Sequence, residues 1–258
     1  MVAQPKELIR LLTELHLPTF RESYAELARK ALQDDLGYEQ YLLELSRREW
    51  EVRRVNKIIR LVKTSKLPLE KTMETLDLKR LPMKLRQQVK ILVDGSFVDR
   101  RENILAFGQP GSGKTHLLCA ICHELARQGR RVYFATCDLM VQELLRAKQE
   151  LVLDKWLRKL SQFEVLMIDD FGYVKQNREE MEVLFTLLAH RYEWGSVLIT
   201  SNLPFSKWEA IFKDPMTTAA AIDRLVHHSV ILELNVTSYR AEQAQKHKAQ
   251  ESQQEQES

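Results

Sequence analysis

Gly108-Gln109-Pro110-Gly111-Ser112-Gly113-Lys114-Thr115 decides how the rest of this chain is read. The stretch fits the pattern G-x-x-x-x-G-K-[ST] at every defined position. Backbone without Cβ can wrap a row of N–H donors around a β-phosphate at φ values closed to other residues. Lys114 brings a compact positive charge to the β- and γ-phosphates, Thr115 a hydroxyl for Mg2+, and His116 continues the first turn of the helix beside them. A nucleoside triphosphate is implied, with Gly108, Gln109, Pro110, Gly111, Ser112, Gly113, Lys114, Thr115 and His116 around it. Glycine is scarce, eight in 258 residues, and three fall in this loop, which argues against a chance match.

Ahead of the loop, Asn103-Ile104-Leu105-Ala106-Phe107 reads as a short buried strand; after it, residues 115–128 read as a helix with Leu117, Leu118, Ile121 and Leu125 apolar. That order aims the helix's free N–H groups and positive dipole end at the phosphates. Val165-Leu166-Met167-Ile168-Asp169-Asp170 is an apolar strand closing on two carboxylates. Asp169 is the expected metal holder and Asp170 the expected base that orients and polarises water; the alternative is an N-cap pair for the next helix. Asp170-Phe171-Gly172 also spells the kinase triplet, but no kinase catalytic loop can be placed with it. Asn202, at the polar end of the strand Val197-Leu198-Ile199-Thr200-Ser201, is placed to bond the γ-phosphate or the water, or else forms a turn. Arg224, within Asp223-Arg224-Leu225 on an apolar helix, either reaches a neighbouring copy's γ-phosphate or pairs locally with Asp223.

The second half alternates as a parallel sheet requires, with strands expected at 103–107, 131–135, 164–169, 196–201 and 229–234 and helices at 137–148, 153–161, 178–193, 206–212 and 217–226. Residues 1–70 read as an all-helical domain. Leu8, Leu11, Leu12 and Leu15 recur at three and four before Pro18, a second helix runs from Phe20 towards Gln33, and a third from Tyr38 to Lys63. On the third, Tyr38, Tyr41, Leu42, Leu45, Val52, Val55 and Ile59 share a face expected to point inward. Residues 71–100 are a linker with a leading helix from Met83 to Leu92, residues 101–238 the nucleotide domain, and residues 239–258 a polar tail expected to be disordered.

Composition narrows the class further. A content of 44% hydrophobic residues supports one large domain or two smaller ones, and a net charge of +3 does not by itself argue for nucleic acid. Cys119, Cys122 and Cys137, with no secretory signal, fit a reducing cytoplasm. Cys119 and Cys122 make a C-x-x-C, but no second pair follows, so buried packing outweighs zinc or redox chemistry. No apolar run approaches the ~18 residues of a membrane span, and no membrane partner is expected.

Taken together, GQPGSGKT, VLMIDDFG, LITSNLPFSKWEAIF and AAAIDRLVHHSVILEL followed by Ser238-Tyr239-Arg240 resemble the IstB helper ATPases of bacterial insertion sequences, and are close to the DnaC type of helicase loader. The resemblance covers most of the chain. It implies an α/β AAA+ phosphate-loop fold with a parallel five-stranded sheet in order 5-1-4-3-2, after a small helical N-terminal domain. It further implies ATP and Mg2+, hydrolysis to ADP and phosphate, homo-oligomeric assembly on double-stranded DNA, and recruitment or stimulation of a DDE integrase-type transposase, in the bacterial cytoplasm and at the nucleoid. Carried onto this chain, it puts Lys114 and Thr115 on ATP and Mg2+, Asp169 on the metal, Asp170 at the base, Asn202 at the first sensor and Arg224 at the arginine finger. Many AAA+ ATPases have glutamate where Asp170 stands, and the shorter side chain suits slow hydrolysis. Too few residues follow Asn202 for a full helical lid, so the lid is reduced or absent and Arg240 is the one candidate for a second sensor.

Two basic clusters are candidates for DNA. Arg47, Arg54 and Lys57 lie on the polar face of the third helix, and Arg146, Lys148, Lys155, Arg158 and Lys159 lie between the second and third strands. By the resemblance, the second region faces the central channel of related initiators and loaders. Neither cluster carries a base-reading motif, so contacts to phosphates are expected, tolerant of sequence and sensitive to salt, with a merely solvated face as the alternative. Three functions stay open on the sequence: a transposase helper, a replicative helicase loader, and a module that binds ATP without hydrolysing it.

Overall fold

The computed structural model describes residues 5–172, 178–192, 194–208, 215–236 and 238, in two compact units that divide at Arg60/Leu61. The first unit is helical: α1 (Pro5–Glu14), α2 (Pro18–Gln33) and most of α3 (Tyr38–Ser65). Pro18 opens α2, where its fixed φ suits a first helical turn. Leu12, Leu27 and Leu45, one from each helix, are buried together with Glu49, whose carboxylate accepts from the Thr19 N–H at 2.9 Å and from Arg53 Nε at 2.6 Å. The inward stripe expected on α3 does not form as a whole. Leu45 is buried and Tyr41 half-buried, but Tyr38, Leu42, Val52, Val55 and Ile59 are exposed. The short α1 and α2 cover only part of this face: Arg53 donates to the His16 carbonyl, and Val55 and Ile59 beyond it, like Tyr38, Leu42 and Val52 before it, stay exposed.

The second unit begins before residue 70 because the connector packs as core. Leu67 and Leu81, with Leu85, Val89 and Leu92 of α4 (Met83–Val93) and Phe97 and Val98 of α5 (Ser96–Asp99), join the cluster beneath the sheet. Five parallel strands, β1 (Asn103–Gly108), β2 (Val132–Thr136), β3 (Val165–Asp169), β4 (Ser196–Ser201) and β5 (Ser229–Leu234), stand in order β2-β3-β4-β1-β5, the expected order counted from the other edge. Strands covered on both faces are apolar throughout, with alternate side chains going to opposite layers. Ile104, Ala106, Val165, Met167 and Leu198 cluster with α4 and α6 (Lys114–Arg127). Leu105, Leu166, Ile168, Val197 and Ile199 cluster with α7 (Cys137–Gln149), α8 (Leu153–Leu160), α9 (Arg178–Arg191) and α10 (Pro215–Val226). Cys119 and Cys122 place their Sγ atoms 3.9 and 3.8 Å from Met167 Sδ; burial pushes the Cys119 thiol up to about 12 and the Cys122 thiol well above its ordinary value. Of the helix expected at 206–212, the described part is a 3-10 turn over Phe205–Lys207; 209–214, Arg240 and the tail from 239 lie outside the described residues.

Arg191, in the last turn of α9, is a buried cation. Its guanidinium, 1% exposed, donates to the carbonyls of Leu160 (3.3 Å), Phe163 (2.7 Å), Glu164 (3.1 Å) and Ser196 (3.1 Å), tying the end of α8 to the starts of β3 and β4. Burial lowers its pKa to about 10, which leaves it charged at neutral pH. Gly195 passes so close that a Cβ there would lie 2.4 Å from Arg191 Nη2. Arg191→Met would leave buried carbonyls without donors and is expected to cost roughly 3 kcal/mol of stability, read as a lower midpoint in urea unfolding.

Candidate nucleotide site

β1 delivers the glycine loop, and α6 begins at Lys114 with Gly113 as its N-cap. Gly113 takes φ 91 with open space where a Cβ would stand, so conformation rather than room requires glycine. Gly108 is required by room, since a Cβ there would lie 2.5 Å from the Leu234 carbonyl oxygen at the end of β5. Lys114 is buried, and its Nζ donates to the Gly108 and Gln109 carbonyls at 2.8 and 3.0 Å, folding the ammonium back onto the loop. Ser112 Oγ is buried with no hydrogen-bond partner among the described residues, inside a loop whose shape suits a phosphate.

Register then assembles the carboxylate side of the site. Ile168 pairs with Ile199 across β3 and β4, so the next residues, Asp169 and Thr200, come side by side. Thr200 Oγ1 donates to Asp169 Oδ1 at 2.5 Å and accepts from the Asp170 N–H at 2.9 Å. Thr115 Oγ1, from the first turn of α6, donates to the same Asp169 oxygen at 2.7 Å. A hydroxyl and a carboxylate held together in this way are the oxygen donors a hard divalent cation takes. Asp170 is exposed and turns the chain out of the strand at φ 58, a conformation aspartate tolerates. Asn202 follows Ser201, which pairs with Phe107 just before the loop, so it stands, exposed, at the loop end of the sheet. The His116 ring turns to the connector instead: its Nε2 lies 3.2 Å from the Thr72 carbonyl and 3.0 Å from Thr75 Oγ1, and burial lowers its pKa.

Arg224 is not part of this gathering. It lies half-buried in the last turn of α10, its Nη1 donating to the Ala220 carbonyl at 3.0 Å and its guanidinium 4.9 Å from the centre of the Phe185 ring. With Arg100, Arg101, Arg191 and His228 it lines a cavity of about 220 Å³ at the starts of β1 and β4. Asn103 anchors that corner, donating from Nδ2 to the Leu225 carbonyl at 3.0 Å and accepting from the Val197 N–H at 2.8 Å. The glycine loop and Asp169 lie at the opposite end of the sheet, roughly 20 Å away at ~3.3 Å per strand residue.

The basic candidates are exposed, except for half-buried Lys148. Arg146 pairs with Glu150 at 2.9 Å, Lys148 with Glu182 at 3.1 Å and Arg158 with Asp154 at 2.5 Å; Lys159 sits over the Trp156 ring, and Lys155 is exposed nearby on α8. In the first unit Arg47, Arg54 and Lys57 are all exposed on α3, with Arg54 over the Trp50 ring at 5.3 Å. Thr200 is the site residue that sequence reading passed over. The signal was a hydroxyl inside an otherwise apolar strand, one position short of the polar end.

A parallel sheet in this order, with a glycine loop after β1 and a carboxylate ending β3, defines an AAA+ phosphate-loop protein. The chain belongs to the IstB-like ATP binding protein family, whose model matches residues 10–249. It is 39% identical over 235 residues to an insertion-sequence protein of Sinorhizobium fredii named for ATP binding, covering 91% of this chain and 79% of that one. It is 36% identical over 240 residues to a protein of insertion sequence IS21 from Pseudomonas aeruginosa, also named for ATP binding, covering 93% and 91%. Among solved structures, DnaI matches with a TM-score of 0.55 at 21% identity, over 67% of this chain and 95% of that one. AMPPCP-bound DnaA from Aquifex aeolicus matches at 0.55 and 17%, over 66% and 51%. Both likenesses speak for the fold. Among the described residues no helix is long and apolar enough to cross a membrane.

Thr200→Val removes the hydroxyl shared by Asp169 and the Asp170 amide. A hydrogen bond to a charged group being worth about 1.5–3 kcal/mol, the affinity part of any Mg2+ contribution to nucleotide binding is expected to fall roughly ten- to hundredfold. Titration calorimetry with and without Mg2+ measures the affinity part.

Proposed function

We propose that this chain is a Mg2+-dependent ATPase that assembles with copies of itself on duplex DNA and serves as the helper of a transposase. The observation that carries this reading is the separation of Asp169 and Arg224 at opposite ends of one sheet, which leaves a complete catalytic set to two copies. In each copy the loop amides and Lys114 would bind the β- and γ-phosphates, and Thr115 and Asp169 would hold the metal, which would supply positive charge against that developing on the transferred phosphoryl group. Asp170 takes the proton of the attacking water, and Asn202 orients that water. Arg224 enters from the neighbouring copy and stabilises transition-state charge.

DNA contact through Arg146, Lys148, Lys155, Arg158 and Lys159 is supported by how weakly these side chains are committed. Exposed ion pairs are worth about 0–1 kcal/mol, so phosphates can take the place of Glu150, Glu182 and Asp154. Arg47, Arg54 and Lys57 offer the first unit's own phosphate contacts. The insertion-sequence origin of the relatives supports a DDE integrase-type transposase over a replicative helicase as partner, and the nucleoid as the place of action.

Three outcomes are expected. Affinity for duplex DNA should fall steeply, by about 10³ or more between 50 and 200 mM salt if six or more phosphates are held; a flat salt profile defeats the backbone-contact reading. Asp170→Ala should bind ATP yet show no turnover, whereas retained turnover would remove Asp170 from the base position. Arg224→Ala chains should be inactive alone and partly restored on mixing with Lys114→Ala chains that contribute intact arginines; no restoration would place Arg224 outside catalysis in a neighbour. Recovery of a ring helicase rather than a transposase in a pull-down would overturn the partner.

A further inference from the structure

α7 and α8 pack beside the edge strand β2 and leave a groove of about 570 Å³. Its floor is aromatic. Tyr133 lies 5.1 Å from Phe163 and 6.4 Å from Trp156 between ring centres, and the Trp156 ring is half-exposed. Its rim is basic, with Lys63, Lys66, Arg146 and Lys159 set against Glu143 and Glu150. Both carboxylates are already engaged: Glu143 lies 3.7 Å from Lys66 Nζ, and Glu150 2.9 Å from Arg146 Nε. Lys63 and Lys159 have no carboxylate partner among the described residues, and Lys159 Nζ hovers 5.7 Å from the Trp156 ring centre, where a stacked base would lie.

Aromatic surface beside uncompensated ammonium groups matches a nucleotide, whose base offers a π-face and whose phosphate offers a charge. An acidic peptide would satisfy the lysines but offer no flat face to stack on the half-exposed Trp156 ring. At the lip, Leu151 is 92% exposed at φ 58, between Glu150 and Val152, which both line the groove. Leucine in that backbone region costs energy, and an apolar side chain held out among basic helices has the makings of a wedge that unstacks a base step. We propose that this groove receives one unpaired nucleotide of bound DNA, prised from the stack by Leu151. The proposal rests on the DNA-binding reading above and adds recognition of a base to contacts with phosphates.

The test measures binding of a fluorescently labelled oligo-dT strand and of a duplex of equal length by the full chain, without ATP. Oligo-dT should quench the emission of Trp156, a signal missing in Trp156→Phe. A stacked base being worth about 1–3 kcal/mol, Trp156→Leu should weaken strand binding roughly tenfold and duplex binding less than about twofold, with Trp156→Phe close to the parent. Lys63→Ala combined with Lys159→Ala, both exposed positions, should weaken strand binding without risk to the core. Leu151→Ser should abolish the rise in emission of a 2-aminopurine placed in the duplex while leaving oligo-dT affinity intact. Equal losses for strand and duplex, unchanged strand affinity in Trp156→Leu, or quenching by polyglutamate but not by oligo-dT would each overturn the proposal. Failure of the parent to bind duplex would defeat the assembly reading instead, and is distinguishable because the groove is read on the single strand.

Discussion

Asp169 Oδ1 is the atom on which the nucleotide domain turns. A buried carboxylate is costly unless its oxygens are bonded, and here hydroxyls from Thr115 and Thr200 bond the same one. They come from the helix after the glycine loop and from the neighbouring strand, so a shift of either would be felt by the other. Thr200 extends the chain of bonds to the Asp170 amide, and thereby sets the point at which the backbone leaves β3. Position of the loop, of the Asp169 carboxylate and of exposed Asp170 is thus one constraint rather than three.

The other end of the sheet is fixed by polar side chains as well. Arg191 gathers carbonyls from the end of α8, the residues just before β3 and the start of β4, and Asn103 joins β1 to the start of β4 and to the end of α10. Arg224, one residue before the carbonyl that Asn103 holds, inherits that rigidity. The sheet lies between the two ends, so within one copy Arg224 stands away from its own glycine loop.

The strands were legible because a sheet covered on both faces demands short uninterrupted apolar runs, and Ile104 to Phe107 and Val165 to Ile168 supply them. The strand order came with the family resemblance, since periodicity carries no information on which runs lie side by side. α5 left no trace because four residues cannot show a helical period. The stripe on α3 misled because periodicity reports which residues share a face, while the two short helices packed on it decide how much of that face is covered. Thr200 was hidden by the ordinary preference of threonine for strands, and Arg191 by the habit of arginine to sit solvated at a helix end. In the loop, by contrast, Gly108, Gly113, Lys114 and Thr115 were each readable, because backbone geometry and phosphate chemistry leave those positions few substitutes.

With the glycine loop at one end of the strands and Arg224 at the other, the proposed assembly would give each copy a head and a tail. An interface that joins unlike surfaces does not satisfy itself in a two-fold pair, as an isologous dimer would; it repeats until it meets its own beginning or runs out of copies. In an open array, the first and last protomers each keep one half of a site that nothing completes. Turnover per protomer would then rise with array length towards a plateau, so the activity of such an assembly doubles as a measure of how far it has grown.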